Sequence, residues 1–161
     1  MKRQASCPID NDADKIEAAA PITTNEALNA IISDYRRAKF LAVDTEFIRE
    51  RTYYPQLCLI QISDGVKAVA IDPLAKKLDL TPLWELMRDQ NITKVFHAGN
   101  QDMEIFLHLM GDLPQPIYDT QIAAMVCGLG DQVGYDKLVK SILDQDIDKT
   151  SRFTDWSKRP L

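Results

Sequence analysis

Segments with strand and helix periodicity succeed one another along this chain and predict a mixed α/β fold. The expected sheet has antiparallel first strands and parallel later ones, flanked by helices. Three observations carry that reading. Residues 57–62 and 66–71 are apolar, β-branched segments on either side of Ser63-Asp64-Gly65, a turn of hairpin type. From Asp72-Pro73 onward, apolar residues recur at helical spacing between short strand segments. Leu, Ile, Val and Phe supply 43 of the 161 residues, enough to build a core.

The elements follow in order. Residues 1–21 are polar and acidic, with Asp10, Asp12 and Asp14 close together and no periodicity. They read as a flexible arm ahead of one domain spanning 22–161. Thr23-Thr24-Asn25-Glu26 has the pattern of a capping box: a Thr side chain accepts from one orphan helix N–H and Glu26 reaches back to another. Leu28, Ile31, Ile32 and Tyr35 then line one face of a helix that ends near Arg36-Arg37. Residues 40–47 form a strand, apolar on both faces before its acids, as befits a central strand.

After the hairpin, Leu80, Leu83, Trp84 and Met87 recur at i, i+3, i+4 and i+7. A short strand at 94–97 runs through Ala98-Gly99-Asn100 into a helix with Met103, Phe106, Leu107 and Met110 on one face. A strand end near Pro116-Ile117 leads into a helix at about 119–127 capped by Asp119, and another helix covers about 135–143. The tail, 144–161, is polar and basic by turns, holds Trp156 and closes on Arg159-Pro160-Leu161.

Composition excludes several classes. No apolar run approaches the roughly 18 residues of a membrane helix, and the N-terminus lacks the apolar stretch of a signal peptide. Cys7, Cys58 and Cys127 are odd in number, far apart and never in C-x-x-C, against a disulfide framework or zinc site. The net charge of −5 is not that of a protein binding nucleic acid through bulk positive charge. A soluble, reduced, cytoplasmic domain is the expectation.

Chemistry concentrates first at Asp44-Thr45-Glu46. Residues i and i+2 of a strand share a face, so both carboxylates project side by side. Such a pair repels itself and suffers desolvation unless it is protonated or holds a cation, and a hard divalent ion with oxygen ligands meets both problems. The pattern alone is weak, because an acid pair at a strand's wet end needs no function. It also recurs as Asp102-Met103-Glu104, on a helix where i and i+2 diverge by about 200° and cannot form the same pair. Asp102 lies in the first turn of its helix, where the dipole favours an acid whatever its role. His97 ends a short strand, and Glu85, Glu104 and Asp112 read as solvated.

Taken in order, FLAVDTEF (40–47), YYPQLCLIQIS (53–63), VFHAGNQDMEIF (95–106), YDTQIAA (118–124) and SRFTDWSKRPL (151–161) resemble the ribonuclease D family, over nearly the whole chain. That family belongs to the DEDD 3′–5′ exonucleases, whose fold is ribonuclease H-like. The resemblance implies that Asp44 and Glu46 match the acids of the first motif and Asp102 the acid of the second. These would hold two Mg²⁺ or Mn²⁺ ions roughly 3.5–4 Å apart, one activating water and the other stabilising the leaving 3′ oxygen. Thr45 and Phe47 stand beside the acids as contacts for the terminal nucleotide, since an aromatic face stacks on any base. His97 and Asn100 would line the same pocket. RNA 3′ ends, tRNA precursors among them, are the implied substrates.

One departure qualifies this. The family's third motif is Tyr-x-x-x-Asp, yet the residues four beyond Tyr35, Tyr53, Tyr54, Tyr118 and Tyr135 are Lys39, Leu57, Cys58, Ile122 and Val139. His97-x-x-x-x-Asp102 matches the spacing of a sister subgroup but stands where the second motif belongs. The expectation is an exonuclease domain incomplete at its C-terminus, before its last catalytic helix, impaired in hydrolysis and weak in RNA affinity. Asp119 or Asp155 could replace the fourth acid. The alternative is a non-catalytic RNA- or protein-binding relic of the fold.

Overall fold

The strand bearing Asp44 and Glu46 is central in its hydrogen bonding. A computed structural model describes residues 20–49, 53–148 and 154–160. Its elements are α1 (Asn25–Tyr35), β1 (Phe40–Ile48), β2 (Gln56–Ser63), β3 (Ala68–Ile71), α2 (Thr81–Arg88), β4 (Thr93–Phe96), α3 (Asn100–Met110), β5 (Ile117–Asp119), α4 (Thr120–Val126) and α5 (Tyr135–Leu143). The sheet order is β3-β2-β1-β4-β5. β1 pairs antiparallel with β2, and β2 with β3; β1 pairs parallel with β4, and β4 with β5. This is the mixed sheet that the hairpin and the later strand–helix alternation predict.

Facing differs from expectation. Leu41, Val43 and Thr45 are buried whereas Phe40, Ala42 and Asp44 are exposed, so among the described residues β1 is covered on one face only. Apolar character on both faces reflects its central place in the ladder and not double burial. The covered face meets Leu28, Ile31 and Tyr35 of α1, Leu83 and Met87 of α2, and Ile105 and Phe106 of α3 in one core.

Several boundaries move for identifiable reasons. α1 is capped by Thr24, whose hydroxyl accepts from Ala27 N at 3.3 Å; Glu26 is thus one position too early to close a capping box. Asn25 instead bonds Lys77 O and Asp79 N, tying the start of α1 to the loop before α2. β3 starts at Ala68 and not 66, because Asp64 Oδ1 accepts the N–H groups of Val66 and Lys67 at 2.9 and 2.8 Å around Gly65 at φ +88°. The chain enters the fold at Ile22, which bridges Ile71 in parallel through two backbone bonds. The arm expected at 1–21 falls outside the described residues but for Ala20 and Pro21. On α3 the buried face is Asp102, Ile105, Phe106 and Met110, with Leu107 exposed. No helix among the described residues is long and apolar enough to cross a membrane.

The core also holds a lysine that patterning alone does not flag. Lys94, on β4 opposite Leu41, is fully buried, and its ammonium donates to the carbonyls of Asp89 and Ile92 at 2.6 Å each. Desolvation pushes its pKa down to about 8, opposed by the Asp89 charge. Since the unfolded group titrates at the ordinary 10.5, the unfolded chain binds more protons between these values, and stability rises with pH through that window. Urea unfolding should show about 1 kcal/mol of added stability from this group between pH 7 and 9. Lys94→Met should lose that increment and start less stable, with the Ile92 carbonyl left without its donor while Asp89 O keeps the Ile92 N–H; a variant with the wild-type pH slope would refute the account.

Candidate active site

The acid-bearing end of β1 lies where α3 begins. Alternation along the strand sends Asp44 and Glu46 to the open face and Thr45 inward, and Thr45 Oγ1 donates to Asp102 Oδ1 at 2.5 Å. Asp102 arrives there because it occupies the buried face of α3, one turn ahead of Ile105 and Phe106. The helix can start so close to β4 because residue 99 is glycine: a Cβ there would lie 2.8 Å from Phe96 Cβ.

Asp119 completes the mount. Its Oδ1 caps α4 through Gln121 N and Ile122 N at 2.8 and 3.4 Å and also accepts from Ala98 N at 3.1 Å, while Oδ2 accepts from Gly99 N at 2.9 Å. One carboxylate thus fixes both the start of α4 and the loop that delivers Asp102. Burial works against its charge, but those four N–H groups outweigh it and hold its pKa below the usual carboxylate range. Sequence assigned Asp119 the cap and missed the loop. Arg49 likewise escaped notice: it forks onto Glu104 at 3.0 and 2.9 Å and ties the end of β1 to α3. That contact takes Glu104 away from the acids, as the helical spacing requires.

The charge of Asp102 bears on both of the other carboxyls. Asp44 is exposed at its surface, yet enough protein surrounds it that desolvation is the leading upward influence on its pKa, followed by the charge of Asp102. Glu46 is raised by desolvation, then by Asp44 and Asp102. Desolvation also raises Asp102, against the lowering effect of the Thr45 hydroxyl. All three are hard oxygen donors, the kind a divalent cation takes, and a cation is what would relieve them. Among the described residues, no group of three or more His, Cys, Asp or Glu side chains is placed to hold a metal ion, and Asp102 accepts from Thr45. The donor set fits a hard cation in kind.

The remaining candidates are placed as follows. Phe47 is half-buried against the core. Asn100 is the exposed first residue of α3. His97 lies beyond β4; its Nδ1 is 2.9 Å from Thr120 Oγ1 and its Nε2 is 3.0 Å from Val133 O, with the ring 5.4 Å from that of Tyr135. It ties α4 to the approach to α5, and its charge acts on Asp44. Asp155 accepts from Ser157 N and Oγ at 3.1 and 2.6 Å and pairs with Lys158.

A five-stranded mixed sheet with acids at the end of its central strand, beneath the start of the next helix, defines a ribonuclease H-like domain. A family profile described as 3′–5′ exonuclease matches residues 19–161. The chain belongs to that 3′–5′ exonuclease family, within its ribonuclease D group. Ribonuclease D of Zymomonas mobilis is 57% identical over 141 residues, 87% of this chain and 36% of the relative. The crystal structure of Escherichia coli RNase D superposes with a TM-score of 0.82 at 46% identity, over 87% of this chain and 37% of that one. Brucella melitensis NrnC with bound Mg²⁺ gives 0.69 at 31% identity, over 80% and 63%. The chain therefore spans little more than a third of the ribonuclease D proteins it matches.

Two substitutions separate the acids from their support. Asp44→Asn, by removing one crowded charge, should be neutral or stabilising by up to about 1 kcal/mol in metal-free buffer. Thr45→Val should cost about 1–3 kcal/mol by leaving Asp102 without its donor. Chemical denaturation in EDTA decides; equal losses for both would mean the facing of β1 is misassigned.

Proposed function

We propose that this chain forms the catalytic domain of a cytoplasmic 3′–5′ exoribonuclease that trims RNA 3′ ends, tRNA precursors among them. The observation carrying the reading is the placement of Asp44, Glu46 and Asp102, three oxygen donors at one end of β1 and the start of α3, with the charge of Asp102 bearing on both of the others. A protein that only stored RNA would gain nothing from that arrangement. Support also comes from E. coli RNase D, described as an exoribonuclease involved in structured RNA processing, and from the Mg²⁺ bound by NrnC.

Asp44, Glu46 and Asp102 would hold divalent Mg²⁺ or Mn²⁺, two ions by resemblance to the family. When bound, such ions supply positive charge for the phosphoryl oxygens and activate water. Thr45 aims Asp102, and Asp119 keeps the loop of Ala98 and Gly99 from carrying it away. Phe47 offers the terminal base a ring face. Asn100, exposed at the start of α3, offers an amide to the sugar–phosphate backbone, and His97 steadies the neighbouring wall. No Tyr-x-x-x-Asp occurs in the sequence, and both Asp119 and Asp155 have their oxygens engaged elsewhere. Hydrolysis by this chain alone is therefore slowed, by roughly the 10²–10⁴-fold that a positioned acid–base or water-orienting group contributes. That no group of three or more His, Cys, Asp or Glu side chains among the described residues is placed to hold a metal ion favours the second reading, a non-catalytic relic of the fold that binds RNA or protein.

Mn²⁺ should raise the melting temperature by about 4 °C at ten times its dissociation constant, and Asp44→Asn should abolish the rise. A 5′-labelled RNA with a free 3′ hydroxyl should give a slow one-nucleotide ladder with Mn²⁺ and none in EDTA. A melting curve indifferent to about 10 mM metal, with no ladder, would leave the relic reading standing.

A further inference from the structure

Arg159 lies far from the acids in sequence, yet all five of its N–H donors are used. Nε and Nη2 fork onto Asp72 Oδ2 and Oδ1 at 2.8 and 2.6 Å, and Nη2 also donates to Cys58 O at 2.9 Å. Nη1 donates to the carbonyls of Trp156 and Lys158, at 2.8 Å each. The Asp72 side chain is buried, 7% exposed, and that of Arg159 is 28% exposed, although the residue as a whole lies at the surface. A forked guanidinium–carboxylate pair of this kind fixes direction as well as distance.

The carbonyl it reaches is a particular one. β3 pairs with β2 only along residues 60–63, so among the described residues no strand lies beside the outer edge of β2 at Cys58. On the inner edge, Glu46 faces Leu59 and Phe47 faces Leu57, leaving Cys58 as the extra residue of a β-bulge opposite the Glu46–Phe47 peptide. Along β1, burial alternates strictly from Phe40 to Thr45 and stops at Glu46, where the bulge begins. Arg159 thus takes the place of a missing strand at the one point where the ladder beside Glu46 is irregular, with Asp72, just past β3, as its anchor.

We propose that Arg159 is a positioning residue for Glu46: it braces the Cys58 bulge and so sets the direction of the Glu46 carboxylate toward Asp44 and Asp102. Where this bears on metal, it rests on the functional reading above. The guanidinium touches no reacting group; it acts through the backbone of β2. Lysine cannot replace it, because a single ammonium cannot hold Asp72 in a fork and reach Cys58 O together.

The test uses the full 161-residue chain and three variants: Arg159→Met, Arg159→Lys, and Leu138→Ala as a destabilised control remote from the bulge. In metal-free buffer, below the melting point of each, both Arg159 variants should shift the side-chain carboxyl ¹³C resonance of Glu46 and speed amide exchange at Glu46 and Phe47, leaving Leu41 and Val43 unchanged. Cys58, fully buried in the wild type, should become reactive to a thiol reagent. Mn²⁺ affinity, read by titration calorimetry, should fall about tenfold in both, as for loss of a supporting contact behind a ligand, and stay unchanged in Leu138→Ala. An unshifted Glu46 resonance in Arg159→Met overturns the proposal, as does a Leu138→Ala chain with the same Glu46 changes. Loosening of the bulge with unchanged Mn²⁺ affinity reduces Arg159 to a tether and overturns it equally. A wild-type chain that binds no Mn²⁺ sinks the functional reading instead, and the Glu46 resonance and amide exchange then decide the brace alone.

Discussion

Three carboxyl groups placed at one end of a strand and the start of a helix must be held against their own repulsion, and much of the surrounding structure follows from that need. The Thr45 hydroxyl holds Asp102 directly, and Asp119 grips the Ala98–Gly99 backbone that leads into its helix. Arg49 takes Glu104 aside on the same helix and pairs its charge. Each of these contacts is polar and directional, which is why the region tolerates charge that a merely apolar packing would expel.

The core follows the same rule with different groups. Lys94 and Tyr35 are wholly buried, and each gives its polar end to backbone carbonyls: Lys94 to Asp89 and Ile92, Tyr35 to Ile62 and Lys67 at 2.9 and 3.0 Å. Burial and the nearby charges of Asp64 and Asp34 push the Tyr35 phenol well above its ordinary range, which keeps it a neutral donor. Among the described residues, no buried side-chain nitrogen or oxygen lacks a partner. Polar groups here clip turns and strand ends to the sheet while the apolar residues around them supply the bulk of the burial.

Coverage of the sheet is uneven, and the unevenness frames the acids. Three helices close one face over Leu41 and Val43, whereas the other leaves Phe40, Ala42 and Asp44 open. α4 buries only Ala124 and α5 only Leu138, while Ile122, Val126 and Ile142 stay exposed. Asp44 and Glu46 lie toward the more accessible side, whereas Asp102 stays on the covered side with Thr45.

Local pattern by itself determined the element types, the hairpin, the antiparallel-then-parallel sheet and the acid pair on β1, because periods of 2 and 3.6 and an Asp-Gly turn are written in near neighbours. Ordered motifs added the family and singled out Asp102, which no local signal separates from any acid near a helix start. What only the tertiary structure decided depends on residues distant in the chain. Thr45 meets Asp102 across 57 positions and Arg159 meets Asp72 across 87, and neither partner carries a mark that names the other. The single-faced burial of β1, the solitary Lys94 and the second task of Asp119 share that origin. Spacing states which face a side chain takes; what stands opposite is settled when the strands and helices come together.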